Sequence, residues 1–318
     1  MTSHKTLYEE FCRAENAPIY FHTWWLDAVC GSGNWSTAVS MDAQGRVIGV
    51  LPYCQTKRWG LPVILQPPLT AYSGPLIRYP DQAGQKPSYR IHFEKKVYSD
   101  LIRQLPAAAL FRQNFRPEAN NWLPFYWHGF RQTTRYTYIL SKEDVRLSDS
   151  LLQSVTRKKI RQSESLFEVF VSDDFDTYLQ LLQDTYRRRH LVMPLSPGRL
   201  KAVYEIVHAR GHGALLLARH TATREIMAGF FLLHNNGEAA LMSSAQQIGP
   251  DLAHLNYRMV WECIQWCAQQ GCSLDFEGSM DPGMEHLLRA FGGRLTPYFQ
   301  VWKTGNRLLE IMWNWQRT

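Results

Sequence analysis

The sequence predicts an α+β protein of two domains, and three observations carry this prediction. The length of 318 residues exceeds what one compact domain usually contains, so two domains of about 150 residues each are expected. Helical and strand-like patterns follow one another in segregated runs, which is typical of an α+β arrangement. Hydrophobic residues at 45% and aromatic residues at 13% supply two cores and exclude a disordered chain.

The N-terminal half is predicted to mix helices and strands. Apolar runs over residues 35–41 and 47–55, separated by the turn from Asp42 to Gly45, indicate two strands. A Pro/Gly-rich loop, LQPPLTAYSGPLI, follows them. The other elements predicted in this half are a helix at FHTWWLDAVCG, a helix near Lys95 to Leu105, and strands at ALFRQNF, FYWHGF and RYTYIL.

A domain boundary is predicted where the polar run SKEDVRLSDS separates the last of these strands from a new amphipathic helix. The expected domains are therefore residues 1–145 and 146–318. The elements expected after the boundary are a helix (LLQSVTRKKIRQSES), a strand (FEVFVS), helices from Asp174 and Ser196, strands (ALLLARH, MAGFFLLHN and AALMSS), a helix (LNYRMVWECIQWCAQQG), a strand from Leu274, a short helix and a strand near YFQVWK.

The net charge of +7 is partly concentrated in two clusters, TRKKIRQ at residues 156–162 and YRRRH at residues 186–190. Each cluster alone is compatible with a solvated helix face. Together they favour an anionic, phosphate-bearing ligand.

Targeting and metal signals are weak throughout the sequence. The longest apolar run, residues 226–233, is far shorter than the roughly 18 residues that span a bilayer, and the charged N-terminal segment does not resemble a secretion signal. We therefore expect a cytoplasmic protein without a transmembrane segment. The six cysteines are too sparse for a disulfide scaffold, and neither they nor the histidines show common zinc spacing, so we expect reduced thiols and no metal.

The stretch LDFEGSMDPGMEHLLRAFGG, residues 274–293, contains the strongest candidate for a site. In a strand, Leu274 and Phe276 point to one face and Asp275 and Glu277 to the other. Gly278 then ends the strand, which allows a pocket to open beside Glu277. The alternative is that both carboxylates are structural partners of nearby arginines such as Arg289 or Arg294.

The order of elements after residue 150 resembles the GNAT acyltransferase fold, and two such halves in tandem resemble the FemAB-like peptidyltransferase group. This resemblance implies that each half is a mixed, mostly antiparallel sheet flanked by helices. The similar motifs are the R-x-x-I-R-x-S-E helix from Arg157 to Glu164, the hairpin GFFLLHNNGEAALMSSA, the D-F-E-G strand, GMEHLLRAFGG followed by Pro297 and Tyr298, and PPLTAYSGP in the first half.

The resemblance implies transfer of an acyl group, often an aminoacyl group from charged tRNA, to an amine of a cell-envelope precursor. Such chemistry needs a neutral amine, a closely held carbonyl and donors for the oxyanion. We predict Glu277 as the base or amine-binding group, with Tyr257 and Ser243 beside it unless these are ordinary satisfied hydroxyls. The other predicted site residues are Tyr72, Asp275 and Ser279 for substrate, and Arg157, Lys158, Arg161 and Arg188 for the donor.

The segment SAQQIGPDLAH, residues 244–254, lies where GNAT enzymes hold the pyrophosphate of coenzyme A. Gln246 and Gly249 fit the family pattern, whereas Pro250 lacks an N–H and Asp251 is expected to cap the following helix, which disfavours coenzyme A. We therefore expect no bound cofactor, an aminoacyl-tRNA donor and a small-molecule or lipid-linked amine acceptor.

Two other functions remain open at this point. An acyl-CoA-dependent N-acyltransferase acting on a polysaccharide or lipid precursor differs only in its donor. A non-catalytic nucleic-acid-binding protein explains the two basic clusters but leaves the carboxylate strand without a role.

Overall fold

A computed structural model describes residues 3–80, 86–249, 252, 254–278, 280 and 282–305. The contacts divide the chain into two compact units. Unit 1 extends to Arg135 and also includes the segment from Pro297, whereas unit 2 is Tyr136–Thr296. The boundary expected near residue 145 lies inside unit 2. The chain passes from unit 1 to unit 2 within the strand at residues 131–140 and returns to unit 1 within the strand at residues 294–304.

Unit 1 contains one sheet with strand order β1-β2-β3-β5-β12, and β4 also pairs with β2. All of these pairings are antiparallel except that between β3 and β5, which is parallel. The elements are α1 (His4–Ala14), α2 (Thr23–Cys30), β1 (Trp35–Met41), β2 (Val47–Arg58), β3 (Leu61–Leu65), β4 (Leu76–Ile77), α3 (Pro87–Arg103), β5 (Leu110–Asn114), α4 (Leu123–Trp127) and the first half of β6 (Arg131–Leu140), with a 3-10 turn at Ile19–Phe21.

The strand predicted at FYWHGF is wrong, because the structure places helix α4 there. Pro124 occupies the first turn of this helix, where its missing N–H costs nothing. The Phe125 ring packs edge-on against Phe115 at 4.8 Å and Phe130 at 5.3 Å between ring centroids. Burial of these three rings against one another stabilises the helix. The alternation of apolar and polar residues along the sequence does not reveal this packing.

In unit 2 the strand order is β6-β11-β10-β9-β8-β7, and among these described pairings only β10–β11 is parallel. The α+β class with mostly antiparallel sheets flanked by helices is thus confirmed. The elements are α5 (Lys142–Arg146), α6 (Ser148–Leu151), α7 (Ser154–Glu164), β7 (Phe167–Ser172), α8 (Phe175–Arg188), α9 (Pro197–Ala209), β8 (Gly213–His220), β9 (Ile226–Asn235), β10 (Glu238–Gln246), α10 (Leu255–Gln270), β11 (Ser273–Asp275), α11 (Pro282–Arg289) and β12 (Arg294–Thr304).

The helices of unit 2 cover both faces of its sheet. On β9, Phe230 and Leu232 belong to the core that includes Met259 and Val260 of α10. Phe231, one position out of phase, instead contacts Tyr204 of α9 at 5.3 Å between ring centroids. Because successive strand side chains alternate, one face therefore packs against α10 and the other against α9.

The polar run predicted to mark the boundary is itself helical. Ser141 caps α5 in a reciprocal arrangement, since its side chain accepts from Asp144 N at 3.1 Å and the Asp144 carboxylate accepts from Ser141 N at 2.9 Å. This capping box stabilises the first turn of a five-residue helix that is too short to give a clear periodic signal.

The six cysteines are free and buried, as expected for structural thiols. No helix within the described ranges is long and apolar enough to cross a bilayer.

Candidate active site

The candidate site is built where the two parallel strands of unit 2 separate. Strands β10 and β11 pair over three positions only, from Glu238 with Ser273 to Ala240 with Asp275. Beyond Ala240, β10 continues to Gln246 with β9 as its only strand partner among the described residues. The other edge of β10 therefore presents backbone N–H and C=O groups that an extended ligand can pair with.

A bulge in β10 determines where Ser243 points. The register with β9 shifts between Leu241 and Ser243. An inserted residue reverses the alternation of the following side chains. Ala239, before the bulge, lies in the core beside α10, whereas the Ser243 hydroxyl meets the Tyr178 hydroxyl of α8 at 2.8 Å.

Gly229 makes room for the Tyr178 ring, since a Cβ at this glycine would lie 2.5 Å from it. Burial raises the pKa of Tyr178 well above its usual range, so this hydroxyl remains protonated. The pair formed by Tyr178 and Ser243 is therefore a neutral hydrogen bond.

The alternation predicted for residues 274–277 is confirmed. Leu274 and Phe276 are buried, and Asp275 and Glu277 are each partly exposed. The Asp275 carboxylate accepts through Oδ1 from the Thr137 hydroxyl at 2.6 Å and from the Glu277 backbone N–H at 2.7 Å. Asp275 thus fixes the backbone on which Glu277 is carried.

Two consecutive residues with positive φ follow β11, namely Glu277 at 55° and Gly278 at 67°. A Cβ at Gly278 would lie 2.2 Å from the Tyr136 carbonyl oxygen, so only glycine fits there. A left-handed glutamate is uncommon and is conformationally costly. The chain therefore turns sharply at the point where β10 and β11 part.

Tyr257, in the first turn of α10, binds a lysine that the prediction had not included among the site residues. Lys159 of α7 donates to the Tyr257 hydroxyl at 2.8 Å and lies 4.1 Å from its ring centroid. The ring also lies 6.2 Å from that of Phe291. Tyr257 therefore belongs to the face covered by α7 and α10, whereas Ser243 contacts α8. Lys159 was inconspicuous in the sequence because it is one of four neighbouring cations.

The N-cap of α10 is His254, whose side chain makes no capping hydrogen bond. The predicted cap Asp251, together with Pro250, lies outside the described residues, so the expectation that it disfavours coenzyme A stays a prediction. Within the described structure, His254 Nδ1 and Gln246 Oε1 are buried polar atoms without a hydrogen-bond partner. The N-terminus of a helix is in general suited to an anion.

The four predicted donor-binding cations lie in different surroundings. Arg188, at the end of α8, donates to the Gln246 carbonyl oxygen and to Thr185 Oγ1, which ties α8 to the end of β10. Arg157 donates to the Asp149 carbonyl oxygen at 2.7 Å. Lys158 and Arg161 are exposed on α7. Arg188 and Lys159 are the cations that the observed hydrogen bonds connect to the ends of the β10–α10 segment.

Two predicted substrate residues are placed differently. Tyr72 is buried in unit 1, where its ring meets that of Tyr298 edge-on at 5.2 Å. Ser279 lies outside the described residues. Trp25 is fully buried in unit 1 and donates to Thr70 Oγ1 at 2.9 Å.

Sequence comparison assigns a class to unit 2. Residues 152–283 match the family model described as Acetyltransferase (GNAT) domain, which spans α7 to β11 and thus the parted strands. Over this range unit 2 is accordingly similar to a GNAT acetyltransferase domain. No curated protein matches the chain in sequence.

Solved structures extend the likeness of fold to the whole chain. FemX superposes with a TM-score of 0.64 at 13% identity, covering 94% of this chain and 96% of its own. L-PGS from Bacillus licheniformis gives 0.58 at 13% identity, with 98% and 95% covered. A tandem GNAT protein from the clavulanic acid biosynthesis pathway gives 0.50 at 10% identity, with 85% and 82% covered. The chain thus shares the fold of these proteins over most of its length.

Proposed function

We propose that this chain transfers an acyl or aminoacyl group to an amine of a cell-envelope or related precursor, in the cytoplasm. The observation that carries the proposal is the separation of β10 from β11. On one side is the edge of β10 that has no strand partner among the described residues, and on the other is Glu277, two residues after the end of β11. FemX and L-PGS share this fold over nearly the whole chain, which supports a cell-envelope acceptor.

The chemistry follows from these two groups. The edge of β10 from Leu241 to Gln246 holds the extended donor by backbone hydrogen bonds and places its carbonyl near the bulge. Glu277 accepts a proton from the acceptor ammonium, and the neutral amine then attacks the carbonyl carbon. A C–N bond forms, the ester or thioester bond to the donor breaks, and the leaving oxygen or sulfur is protonated.

Two classes of donor are compatible with the described groups. Both aminoacyl-tRNA and acyl-CoA carry phosphate, and both are complementary to Arg188, Lys159 and the N-terminus of α10. The resemblance to FemAB-like proteins favours aminoacyl-tRNA. The second candidate is an acyl-CoA, since a pyrophosphate binds well at a helix N-terminus such as that of α10, where the His254 side chain makes no capping hydrogen bond.

The test compares donors on the unmodified chain. Melting temperature is measured with aminoacyl-tRNA, uncharged tRNA, acetyl-CoA and long-chain acyl-CoA, and transfer to UDP-linked muropeptides and to amine-bearing lipids is followed by mass spectrometry. We expect one donor class to raise the melting temperature and to support transfer. A chain that binds bulk RNA with a steep salt dependence and transfers nothing would instead be a nucleic-acid-binding protein.

A pair of matched variants locates the donor. Arg188→Glu reverses the charge that contacts the end of β10, so KM for the donor is expected to rise roughly tenfold. Arg187→Glu is the control, because Arg187 is exposed beside it and pairs with Asp184 at 2.6 Å. Equal effects of the two variants would show that the cluster provides only a general positive field.

A further inference from the structure

Helices α3 and α4 of unit 1 expose an unusual number of large apolar side chains. Globular proteins expose such residues singly, and a group of them marks an interaction surface. We call this group, together with Lys95 and Lys96, the aromatic face. Its apolar members and their exposed fractions are Ile91 (53%), Leu123 (46%), Tyr126 (59%) and Trp127 (54%).

Contacts between the two helices show that these side chains share one surface. Lys95 of α3 lies 5.0 Å from the centroid of the Trp127 ring of α4. Ile91 precedes Lys95 by one helical turn and so lies on the same side of α3. Beneath them, the Tyr98 and Phe125 rings join α3 to α4 at 5.8 Å between centroids.

The aromatic face carries positive charge because the carboxylate beside its lysines, Glu94, is turned inward and paired. Glu94 is buried and accepts from Tyr79 at 2.6 Å, Asn121 at 2.7 Å and Arg90 at 2.9 Å. Lys95 and Lys96, which follow Glu94 directly in α3, are exposed. The surface thus combines aliphatic, aromatic and cationic groups.

Folding of unit 1 does not require these side chains at the surface. The core side of the same helices is supplied by Val97, Leu101 and Phe125, all of which are fully buried. Polar residues in place of Leu123 and Trp127 would therefore leave the core intact. The exposed apolar groups call for a partner outside the core.

We propose that the aromatic face docks unit 1 on an anionic lipid surface. Trp and Tyr rings are favoured at the level of lipid headgroups, aliphatic side chains insert below them, and lysines attract anionic phosphates. The two exposed aliphatic residues, Leu123 and Ile91, distinguish this partner from RNA, because bases stack on rings and gain little from aliphatic groups. The proposal is independent of the transfer reaction, although it suits a lipid-linked acceptor.

The experiment measures co-sedimentation of the full chain with vesicles, without donor or acceptor. Phosphatidylglycerol mixed into phosphatidylcholine is compared with phosphatidylcholine alone. We expect binding to the anionic vesicles, weakened by salt, and a loss of roughly tenfold or more in affinity for Lys95→Glu/Lys96→Glu. The double variant Tyr126→Ala/Trp127→Ala is expected to lose affinity for the vesicles by a similar factor, because it lacks two of the aromatic rings that contact the lipid headgroups.

Matched controls come from the β2–β3 turn of the same unit, where Trp59 is 60% exposed and Lys57 is also exposed. Trp59→Ala and Lys57→Glu should bind vesicles as the unmodified chain does. Unchanged melting temperatures of all variants exclude misfolding. Equal binding to neutral and anionic vesicles, or equal losses of affinity in the controls, would overturn the proposal. It would also be overturned if the same variants weakened RNA binding, or self-association measured by light scattering, by the same factors.

Discussion

The two units each contain one parallel pair of strands joined by a crossover helix, and the pairs differ in what happens where they end. In unit 1 the pair is β3 and β5, joined through α3; in unit 2 it is β10 and β11, joined through α10. In both units the remaining pairings described above are antiparallel. The same local architecture is therefore present twice.

In unit 1, the chain itself occupies the end of the parallel pair. Ser73 donates its N–H to the Asn114 carbonyl oxygen at 2.7 Å, and Ser73 and Phe115 form a parallel bridge. The Gln66 side chain accepts from Asn114 N at 2.9 Å and donates to Thr70 O at 2.9 Å. A Cβ at Gly74 would lie 2.5 Å from the Phe115 ring, so the loop approaches as closely as a glycine permits.

In unit 2, β10 continues beyond its last pair with β11 without a described strand replacing that partner. The two units thus differ in whether a described loop supplies the hydrogen bonds that the end of the parallel pair lacks. This difference agrees with the match of the GNAT domain model to residues 152–283.

The largest effect is expected from Gly278→Ala, which attacks the turn that separates the strands of unit 2. The added Cβ would lie 2.2 Å from the Tyr136 carbonyl oxygen, and φ is 67°. Since a backbone atom cannot move away cheaply, we expect a loss of at least about 3 kcal/mol in the free energy of unfolding. Urea denaturation measures it.

Gly271→Ala is the control for this change. Its φ of 65° is similar, but a Cβ there meets nothing within 4 Å. The expected cost is only about 1 kcal/mol, from the left-handed conformation alone. Equal losses of stability in the two variants would mean that the left-handed backbone conformation determines the cost, and not the close approach of the Tyr136 carbonyl oxygen to Gly278.

The second prediction separates the two carboxylates that follow one another in this turn. Glu277→Gln preserves shape but removes the base, so turnover should fall roughly a hundredfold, about 2.7 kcal/mol in activation free energy, with little change in melting temperature. Asp275→Asn should instead lower stability, because Asp275 accepts from Thr137 and from the Glu277 backbone. Turnover per folded molecule is then nearly unchanged. An inactive but stable Asp275→Asn, or an unfolded Glu277→Gln, would exchange the two roles.

The third prediction uses a glutamate on each crossover helix, since the two have opposite pKa shifts. On α3, burial of Glu94 opposes ionisation, but hydrogen bonds from Tyr79, Asn121 and Arg90 hold its pKa below the usual range. On α10, burial raises the pKa of Glu262 despite its ion pair with Arg258.

A carboxyl with a lowered pKa stabilises the fold above its unfolded pKa, and this stability is lost as pH falls through the folded value. Glu94→Gln should therefore cost about 1–2 kcal/mol at pH 7 and progressively less in acid. The ionised Glu262 opposes folding, so Glu262→Gln should raise stability by roughly a few tenths of a kcal/mol at pH 7 and leave it unchanged at low pH. Urea titrations from pH 3 to pH 7 test the signs; parallel curves for the two variants would contradict them.

A small loss of stability is expected from Ser243→Ala, which removes the partner of the buried Tyr178 hydroxyl. The cost should be about 1 kcal/mol, the value of one neutral hydrogen bond with an unsatisfied partner left behind. Ser244→Ala, the next residue on β10, is the matched control. If instead Ser243→Ala lowers turnover and spares stability, Ser243 acts on the substrate and not on the fold.

Much of this architecture was predictable because its elements are long and periodic. Strand β1 lies at the predicted residues 35–41, and α10 follows the predicted apolar stripe that includes Val260 and Cys263. The helix α4 was not predictable, since Phe125 is fixed by rings distant in sequence. Strand β3 also escaped notice, because five residues interrupted by Pro62 give a weak pattern.

The candidate site was predictable only in part. The alternation at residues 274–277 located Glu277, and the end of the strand followed from Gly278. The bulge that turns Ser243 towards α8 has no signal in one sequence, since it is set by register with β9. The N-cap at His254 differs from the predicted Asp251 because histidine is not a usual capping residue.

The return of the chain to unit 1 through β12 has a consequence for biosynthesis. Strand β5 pairs with β12, and Gln300 of β12 bonds Asn114 of β5 across 186 positions of sequence. During translation, one edge of β5 therefore remains unpaired for roughly ten to forty seconds at ordinary elongation rates, until β12 has been synthesised. All of unit 2 emerges from the ribosome in that interval, while unit 1 keeps an unpaired strand edge prone to association. Completion of the first unit is thus delayed until the second has been synthesised.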